Sequence, residues 1–483
     1  MREKTDYDAI IVGSGPNGLA AAITMQHAGL SVLLIEAKHN IGGGMRSEEL
    51  TLPHFVHDVC SAVHPLAVSS PFFKTLPLQQ YGLEFIHPTI AAAHPLDDGS
   101  AAALYQSVDQ TASLLGKDER AYKELIQPLV NDWPDISFDI LGPLHFPKKP
   151  FQFARFGLKA ITSATHLARL FHLRGTRGFW AGMAAHSIQP ITNAATSAIA
   201  MVLLATGHTR GWPIPKGGSV AIANALANYF LSLGGTIQTG FYVHSLSQLP
   251  SSRAVLLDVT PRQLLQIAGH KFSSLYKWQL QRYRYGMGVF KLDWALDGPI
   301  PFTASVCRQA GTVHLGNTLE EIAASEQMTS DGRFPEKPFV LLAQQSLFDA
   351  TRVPEGKQSA WAYCHVPNGS VMDMTERIEQ QVERFAPGFK ERILYRHAMN
   401  TAQLEEYNSN YIGGDINGGK IDIGQLFTRP ALRFSPYKTS AKGIYICSSS
   451  TPPGGGVHGM CGYHAAKKAL KDIFRMNIDI NKQ

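Results

Sequence analysis

Residues 7–37, "YDAIIVGSGPNGLAAAITMQHAGLSVLLIEA", run from an apolar stretch through a glycine-rich turn and a small-residue segment into a second apolar stretch. Short apolar runs bounded by turn residues predict buried parallel strands, and the segment between them predicts the crossover helix. "RAVLLDV" (253–259) and "GIYIC" (443–447) have the same character far down the chain. A different period governs "GMGVFKLDWAL" (286–296), where Phe290, Leu292, Trp294 and Leu296 alternate onto one face; "FVLLAQ" and "SAWAYCHV" also read as strands. Alternation of this kind predicts an antiparallel sheet. "NTLEEIAAS" opens with a capping box, Thr318 to Glu321, and "DMTERIEQQVERF" is an amphipathic helix that ends before Pro387.

These patterns predict an α/β fold, α+β overall, with a Rossmann-type domain that is discontinuous in sequence. Its segments are 1–75, 210–265 and 425–483; a second, substrate domain, an antiparallel sheet plus helices, takes 76–209 and 266–424. A length of 483 residues exceeds what single cores usually reach, in keeping with two domains. Composition changes this picture little. With 44% hydrophobic and 17% charged residues the chain is globular, and it has no apolar run long enough to span a bilayer. The early strand leaves no room for a leader, so a cytoplasmic location is expected. Five scattered cysteines form no C-x-x-C pair, and the cluster His54, His57, Asp58 and His64 matches no ligand pattern, so no metal is expected. No repeat, low-complexity tract or nucleic-acid motif is present, no nucleic-acid partner is expected, and the oligomeric state is not legible.

The chemistry lies in the glycines. Gly13, Gly15 and Gly18, with Pro16 and Asn17 between them, form G-x-G-x-x-G between strand and helix, the arrangement that seats a pyrophosphate on a helix N-terminus. Glu36, at the end of the second strand, suits a free ribose 2′-hydroxyl. FAD and NAD share this fingerprint, and two further loops favour FAD. One is "GGGMR", with Gly43, Gly44, Met45 and Arg46; the other is "STPPGGGVHGMCGYHAA" near the C-terminal end, where Gly455, Gly456, His458 and Gly459 run into a helix. Unpaired N–H groups and a positive helix end suit a flavin edge on which negative charge develops.

In that order, "GSGPNG" with Glu36, the glycines before Arg46, "WPIPKGGSVAIANALANYF", "GGTIQTGFYVHSL" and "TPPGGGVHGMCGYHAA" resemble the phytoene desaturase branch of the FAD-dependent amine oxidase superfamily, and most of all its phytoene dehydrogenase-related members. The resemblance implies that Val243 holds the adenine through its backbone and that the 455–459 loop meets the flavin ring. It also implies desaturation, saturation or isomerisation of carbon–carbon bonds in a lipophilic, isoprenoid or carotenoid-like substrate. Carotenoid desaturases read close to "HPGAGIPG" where this chain has "PPGGGVHG", so His458 replaces a proline there. With no second dinucleotide motif, electrons should leave to dioxygen, a quinone or another small acceptor. Two alternatives stand open: a flavin amine oxidase, whose lysine-held water and paired aromatics are not readable here, and a flavin-binding regulatory protein with little turnover. His458 and Asp415 are the candidate catalytic residues, with hydrogen bonding to backbone or cofactor and a capped turn as their plainer readings. Cys461, at a helix start that would lower its thiol pKa, is either a packed thiol or a flavin attachment point.

Charge adds one expectation. No acidic residue occurs in the 118 positions between Asp139 and Asp258, which hold ten Lys and Arg and carry the whole +6 net charge. Within 144–180, Phe153, Phe156, Ala160, Leu167 and Phe171 fall at helical spacing, with Arg155, Lys159, His166 and Arg169 on another side. A basic amphipathic helix so built can lie on an anionic membrane, which would make the protein peripheral on the inner face; an ordinary core-facing helix is the alternative.

Overall fold

Two sheets, one parallel and one almost wholly antiparallel, face a common cavity in the computed structural model, which describes residues 5–478. The outermost parts of the expected cofactor segments, 1–4 and 479–483, lie outside the described residues. Tyr7–Val12 is the centre of the five-stranded parallel sheet, flanked by Val32–Ile35 and Thr236–Gln238 on one side and by Ser252–Leu257 and Ile444–Ile446 on the other. Parallel strands buried on both faces need apolar residues at every position, and Ala9 to Val12 and Val32 to Ile35 supply them. This is the Rossmann-type unit that the strand–glycine–helix pattern predicts.

Helix Pro16–His27 follows the first strand and is the hinge of the packing. Gly18 approaches the strand end so closely that an added Cβ would sit 1.9 Å from the Gly13 carbonyl oxygen. On the opposite side the C-terminal helix Met460–Ala469 crosses it, and a Cβ on Gly462 would lie 1.8 Å from the Asn17 carbonyl oxygen. Much of the bare backbone of 454–462 is thus explained by packing: the last helix lies directly on the first.

The second sheet has seven strands in the order Ile393–Met399, Gly288–Leu296, Gln358–Val366, Val340–Ala343, Ala310–Leu315, Ile90–Pro95 and Ala101–Tyr105. All neighbours are antiparallel except Ala310–Leu315 beside Ile90–Pro95. Its outer face carries Phe290, Leu292, Trp294, Leu296, Ala362 and Leu342, packed on helix Thr375–Phe385 through Ile378 and Val382. The alternation read from 286–296 predicts one buried face; the structure buries both. Lys291, Asp293, Trp361, Tyr363, Leu341, Thr312 and His314 stand on the inner face, beneath helices Arg174–Ala185 and Thr196–Arg210. Polar residues on a strand read as solvent-facing; here a ligand cavity covers part of that face.

Segment 144–171 also departs from expectation. Phe156, Ala160 and Leu167 are core residues on helices that pack against Thr196–Arg210, and Phe171 is core beside Trp180, so the stripe expected to meet a membrane is internal. Arg155 is engaged by Asp132. A second, unread stripe points outward: Phe146 and Phe151 are 85% and 88% exposed, Leu158 76%, with Leu144 and Ile161 beside them. No helix among the described residues is long and apolar enough to cross a membrane.

Candidate functional site

A cavity of about 410 Å³ lies between the two sheets. Gly13, Gly15, Pro16, Asn17, Glu36, Gly43, Gly44, Arg46, Val243, Gly455 and Gly456 all line it, so residues more than 400 positions apart in the chain converge there. Five of the sequence candidates do not, His458 and Asp415 among them. Gly18 and Gly459 lie behind the wall as close-packing positions, and the Met45 side chain is core.

At the glycine end, Glu36 accepts from the Ser14 amide at 3.0 Å and its hydroxyl at 2.5 Å, and from Arg46 Nη2 at 3.1 Å. Arg46 itself lies over the Tyr407 ring, 5.2 Å from its centroid. Asp258, a residue that sequence reasoning missed, ends strand Ser252–Leu257 beneath the turn and accepts from the Gly18 amide at 2.9 Å. Burial raises its carboxyl to about 7; the Gly18 hydrogen bond opposes this and the Glu36 charge adds to it. The only signal for it was its place at a parallel strand end, where open α/β sheets bind ligands. Asn17 Oδ1, in the first turn of the helix, is buried with no partner among the described residues.

These features fit FAD. The glycine turn and helix start offer N–H groups to a pyrophosphate, Glu36 offers a carboxylate to a ribose, and the cavity runs on past Gly44 and Gly455 to the inner face of the large sheet. NAD alone would leave that second half unexplained.

His458 and Asp415 are not on the cavity wall. His458 is buried; its Nδ1 accepts from the Met460 amide at 3.0 Å, its Nε2 lies 3.2 Å from the Gly454 carbonyl, and its own carbonyl accepts from Ser70 at 2.6 Å. Burial lowers the ring to about 4. It braces the glycine loop from behind. Asp415 accepts from the amides of Gly286 and Asn417 at 2.7 and 2.8 Å and caps a turn; burial raises its carboxyl against those bonds. Cys461 reverses its expectation: burial pushes the thiol up to about 12, so the helix start does not activate it. The sulfur packs 3.5 Å from the carbonyl oxygens of Thr451 and Gly454.

The cluster at 54–64 is divided among other partners. Asp58 bonds the fully buried Arg352 at 2.6 Å and Arg352 also bonds Asp349 at 2.9 Å, while His64 contacts Ser219 Oγ at 2.7 Å. His57 lies 3.6 Å from Asp293, which also holds Lys291. Among the described residues no group of three His, Cys, Asp or Glu side chains could hold a metal ion.

At the other end the wall is Ile188, Ile199, Val202, Leu203, Trp212 and Leu341, with Trp361 and Tyr363 stacked 5.5 Å apart at 20°. Lys291 Nζ lies 5.8 Å from the Trp361 ring. A lysine beside an aromatic pair is thus present, although alternation along the strands hid it: Lys291 pairs with Tyr363 across two strands that are far apart in sequence.

A model of the NAD(P)-binding Rossmann-like domain family matches residues 11–75. Among curated proteins, the chain is 24% identical to mouse (Mus musculus) pyridine nucleotide-disulfide oxidoreductase domain-containing protein 2, over 98% of this chain and 95% of that one. A limonene dehydrogenase component of Castellaniella defragrans is 25% identical over 31% of this chain and 27% of its own length. Among solved structures, wild-type putrescine oxidase bound to putrescine superposes with a TM-score of 0.61 at 15% identity, covering 97% of this chain and 99% of that one. The chain therefore shares its fold with putrescine oxidase, and the residues of its dinucleotide cradle fit FAD.

Proposed function

We propose that the protein is an FAD-dependent oxidoreductase of phytoene dehydrogenase-like type that acts on carbon–carbon bonds of a lipophilic substrate. One observation carries this reading: the acidic residues on the cavity wall, Glu36 and Asp258, are both at the glycine cradle, and the far half is aliphatic and aromatic. A substrate ammonium group would find no carboxylate on the wall there among the described residues. Bound FAD would supply a two-electron acceptor for hydride. The chain's own residues position the substrate between the Trp361–Tyr363 wall and helix Thr196–Arg210, and they exclude water from it. The likeness to the limonene dehydrogenase component, named for a hydrocarbon, supports the same substrate class. Amine oxidation is the second reading, favoured by the stacked Trp361–Tyr363 pair beside Lys291. Anaerobic stopped-flow absorbance at the flavin band separates them: terpenoid alkenes are expected to bleach the flavin at least tenfold faster than primary amines or NADPH, and the reverse order overturns the proposal.

The outward stripe gives this chemistry a place. Phe146, Phe151 and Leu158, flanked by Lys148, Lys149 and Lys159, present apolar and basic groups together, as an anionic bilayer surface requires. The Ile161 carbonyl accepts from the Ala195 amide at 2.9 Å, and Ile199, one turn further along the next helix, lines the cavity. Membrane lipid and cavity thus meet the same helix, and a lipophile could pass between them without crossing water. Burying each of the three apolar side chains would contribute about 1.5–3 kcal/mol. Sedimentation with phosphatidylglycerol vesicles is expected to capture the protein at low salt, and F146S/F151S/L158S to abolish capture while retaining FAD; indifference to the vesicles removes the docking.

A further inference from the structure

At the apolar end of the cavity a buried hydroxyl and a pair of histidine rings leave polar atoms unpaired among the described residues. Thr312 and His314 lie two residues apart on strand Ala310–Leu315 and therefore share the inner face of the sheet. Thr312 lines the cavity, is 1% exposed, and its hydroxyl has no hydrogen-bond partner among the described residues. His314 stands deeper, with its Nε2 2.9 Å from Nε2 of His186, and His186 lines the cavity. Around them the wall is Leu203, Trp212, Leu341 and Trp361.

The proton positions follow from the contact. Burial lowers His186 to about 3 and drives His314 well below its usual range, so both rings are neutral at pH 7. Two neutral rings in Nε2–Nε2 contact share one proton, and one donates while the other accepts. If His186 donated, His314 would hold its own proton on Nδ1, which is buried without a partner among the described residues. Interiors seldom keep an orphaned N–H, and a bare ring lone pair is the smaller loss. His314 Nε2–H therefore donates to His186 Nε2, and His186 carries its proton on Nδ1. No protein acceptor takes that proton among the described residues.

We propose that His186 and Thr312 form a two-donor seat for one oxygen atom, so that the substrate is a largely apolar molecule bearing a carbonyl or hydroxyl group. The proposal rests on the reading of this cavity as the substrate site. An N–H and an O–H donor suit an oxygen acceptor. An ammonium group, which has only donors, finds no acceptor in the His186 N–H, and a bare hydrocarbon leaves both groups unpaired. Sites built on buried hydrogen bonds discriminate strongly against analogues that lack the matching group. The seat narrows the lipophilic class to oxygenated members and fixes which end of the molecule enters first.

The test uses the full-length, FAD-loaded protein and three probes of similar length: 2-octanone, octane and heptylamine. Calorimetry is expected to show 2-octanone binding at least tenfold more tightly than either of the others, with the infrared carbonyl stretch of the bound ketone moved to lower wavenumber. His186→Phe should abolish both effects, His186→Gln, which keeps an N–H, should retain part of them, and Thr312→Val should diminish the shift. Flavin content and circular dichroism confirm that each variant is folded, and the stretch in the unmutated protein stands as evidence whatever the variants do. Equal affinities, a bound ketone with an unshifted stretch, or no binding by any probe overturns the seat. A shifted stretch in a protein whose flavin no oxygenated terpenoid alkene reduces keeps the seat and removes the carbon–carbon reading instead.

Discussion

Gly18→Ala is expected to emerge from purification colourless, with FAD affinity reduced more than 100-fold and stability lower by about 4 kcal/mol or more. The added carbon would fall 1.9 Å from the Gly13 carbonyl oxygen and 3.2 Å from Asp258 Oδ2. Relief would require helix Pro16–His27 to move away from the strand, but its far side is closed by Gly462 against the Asn17 carbonyl. Any displacement that does occur moves the helix start off the site where the N–H groups of the turn must meet a pyrophosphate. Gly29→Ala is the control. Its φ of +76° is unfavourable for alanine, yet nothing crowds the new carbon, so a loss of about 1 kcal/mol with normal flavin content is expected. The flavin-to-protein absorbance ratio and the urea midpoint check both variants; a yellow Gly18→Ala protein of ordinary stability refutes the account.

Arg352→Met should cost about 3–5 kcal/mol, the range found when one partner of a buried ion pair is removed. Arg352 is fully buried and bonds Asp58, Asp349 and the Pro215 carbonyl, so the variant strands two carboxylates. Burial pushes the Asp58 carboxyl up, but the Arg352 charge with hydrogen bonds from Ser219 and Ser47 outweighs it and holds the group below the usual carboxylate range. A depressed carboxyl pKa contributes stability above the unfolded-state value near 4 and loses it as pH falls through the folded-state value. In the variant burial prevails and Asp58 takes up a proton more readily. The deficit relative to the unmutated protein is therefore expected to be largest at pH 7 and to shrink towards pH 4, as urea midpoints across that range will show. A pH-independent deficit would mean that lost packing, and not the stranded charge, is the cause.

The cofactor end of the cavity was largely legible because its signals are local. Gly13, Gly15 and Gly18 stand within six residues, and Glu36 closes the same strand–helix–strand unit. Contacts made across sequence distance were not. Asp258 looks like the end of an ordinary strand until the parallel sheet sets it beside the first turn. Lys291, Thr312 and Trp361 belong to three strands whose alternation says only that they face away from the apolar core; whether water, helix or ligand covers that face depends on helices contributed by 174–210. His458 shows the converse. A histidine in a glycine loop suggests chemistry, but the adjacent backbone amide and carbonyl satisfy both ring nitrogens. Helix Pro150–Ala160 carries apolar residues on two sides, and periodicity alone could not say which side the core would take.

The seating of helix Met460–Ala469 on helix Pro16–His27 sets an order for biosynthesis. Residues near position 20 leave the ribosome first, yet the surface that covers them is translated more than 430 residues later. At about 5–20 residues per second the wait is on the order of tens of seconds. Through that interval Leu19, Ala20, Ile23 and their neighbours lack the cover that the finished fold gives them, and the final parallel strand, Ile444–Ile446, is also missing from its sheet edge. Nascent chains should therefore depend on chaperone protection until helix Met460–Ala469 emerges, and FAD should become tightly held only once it has.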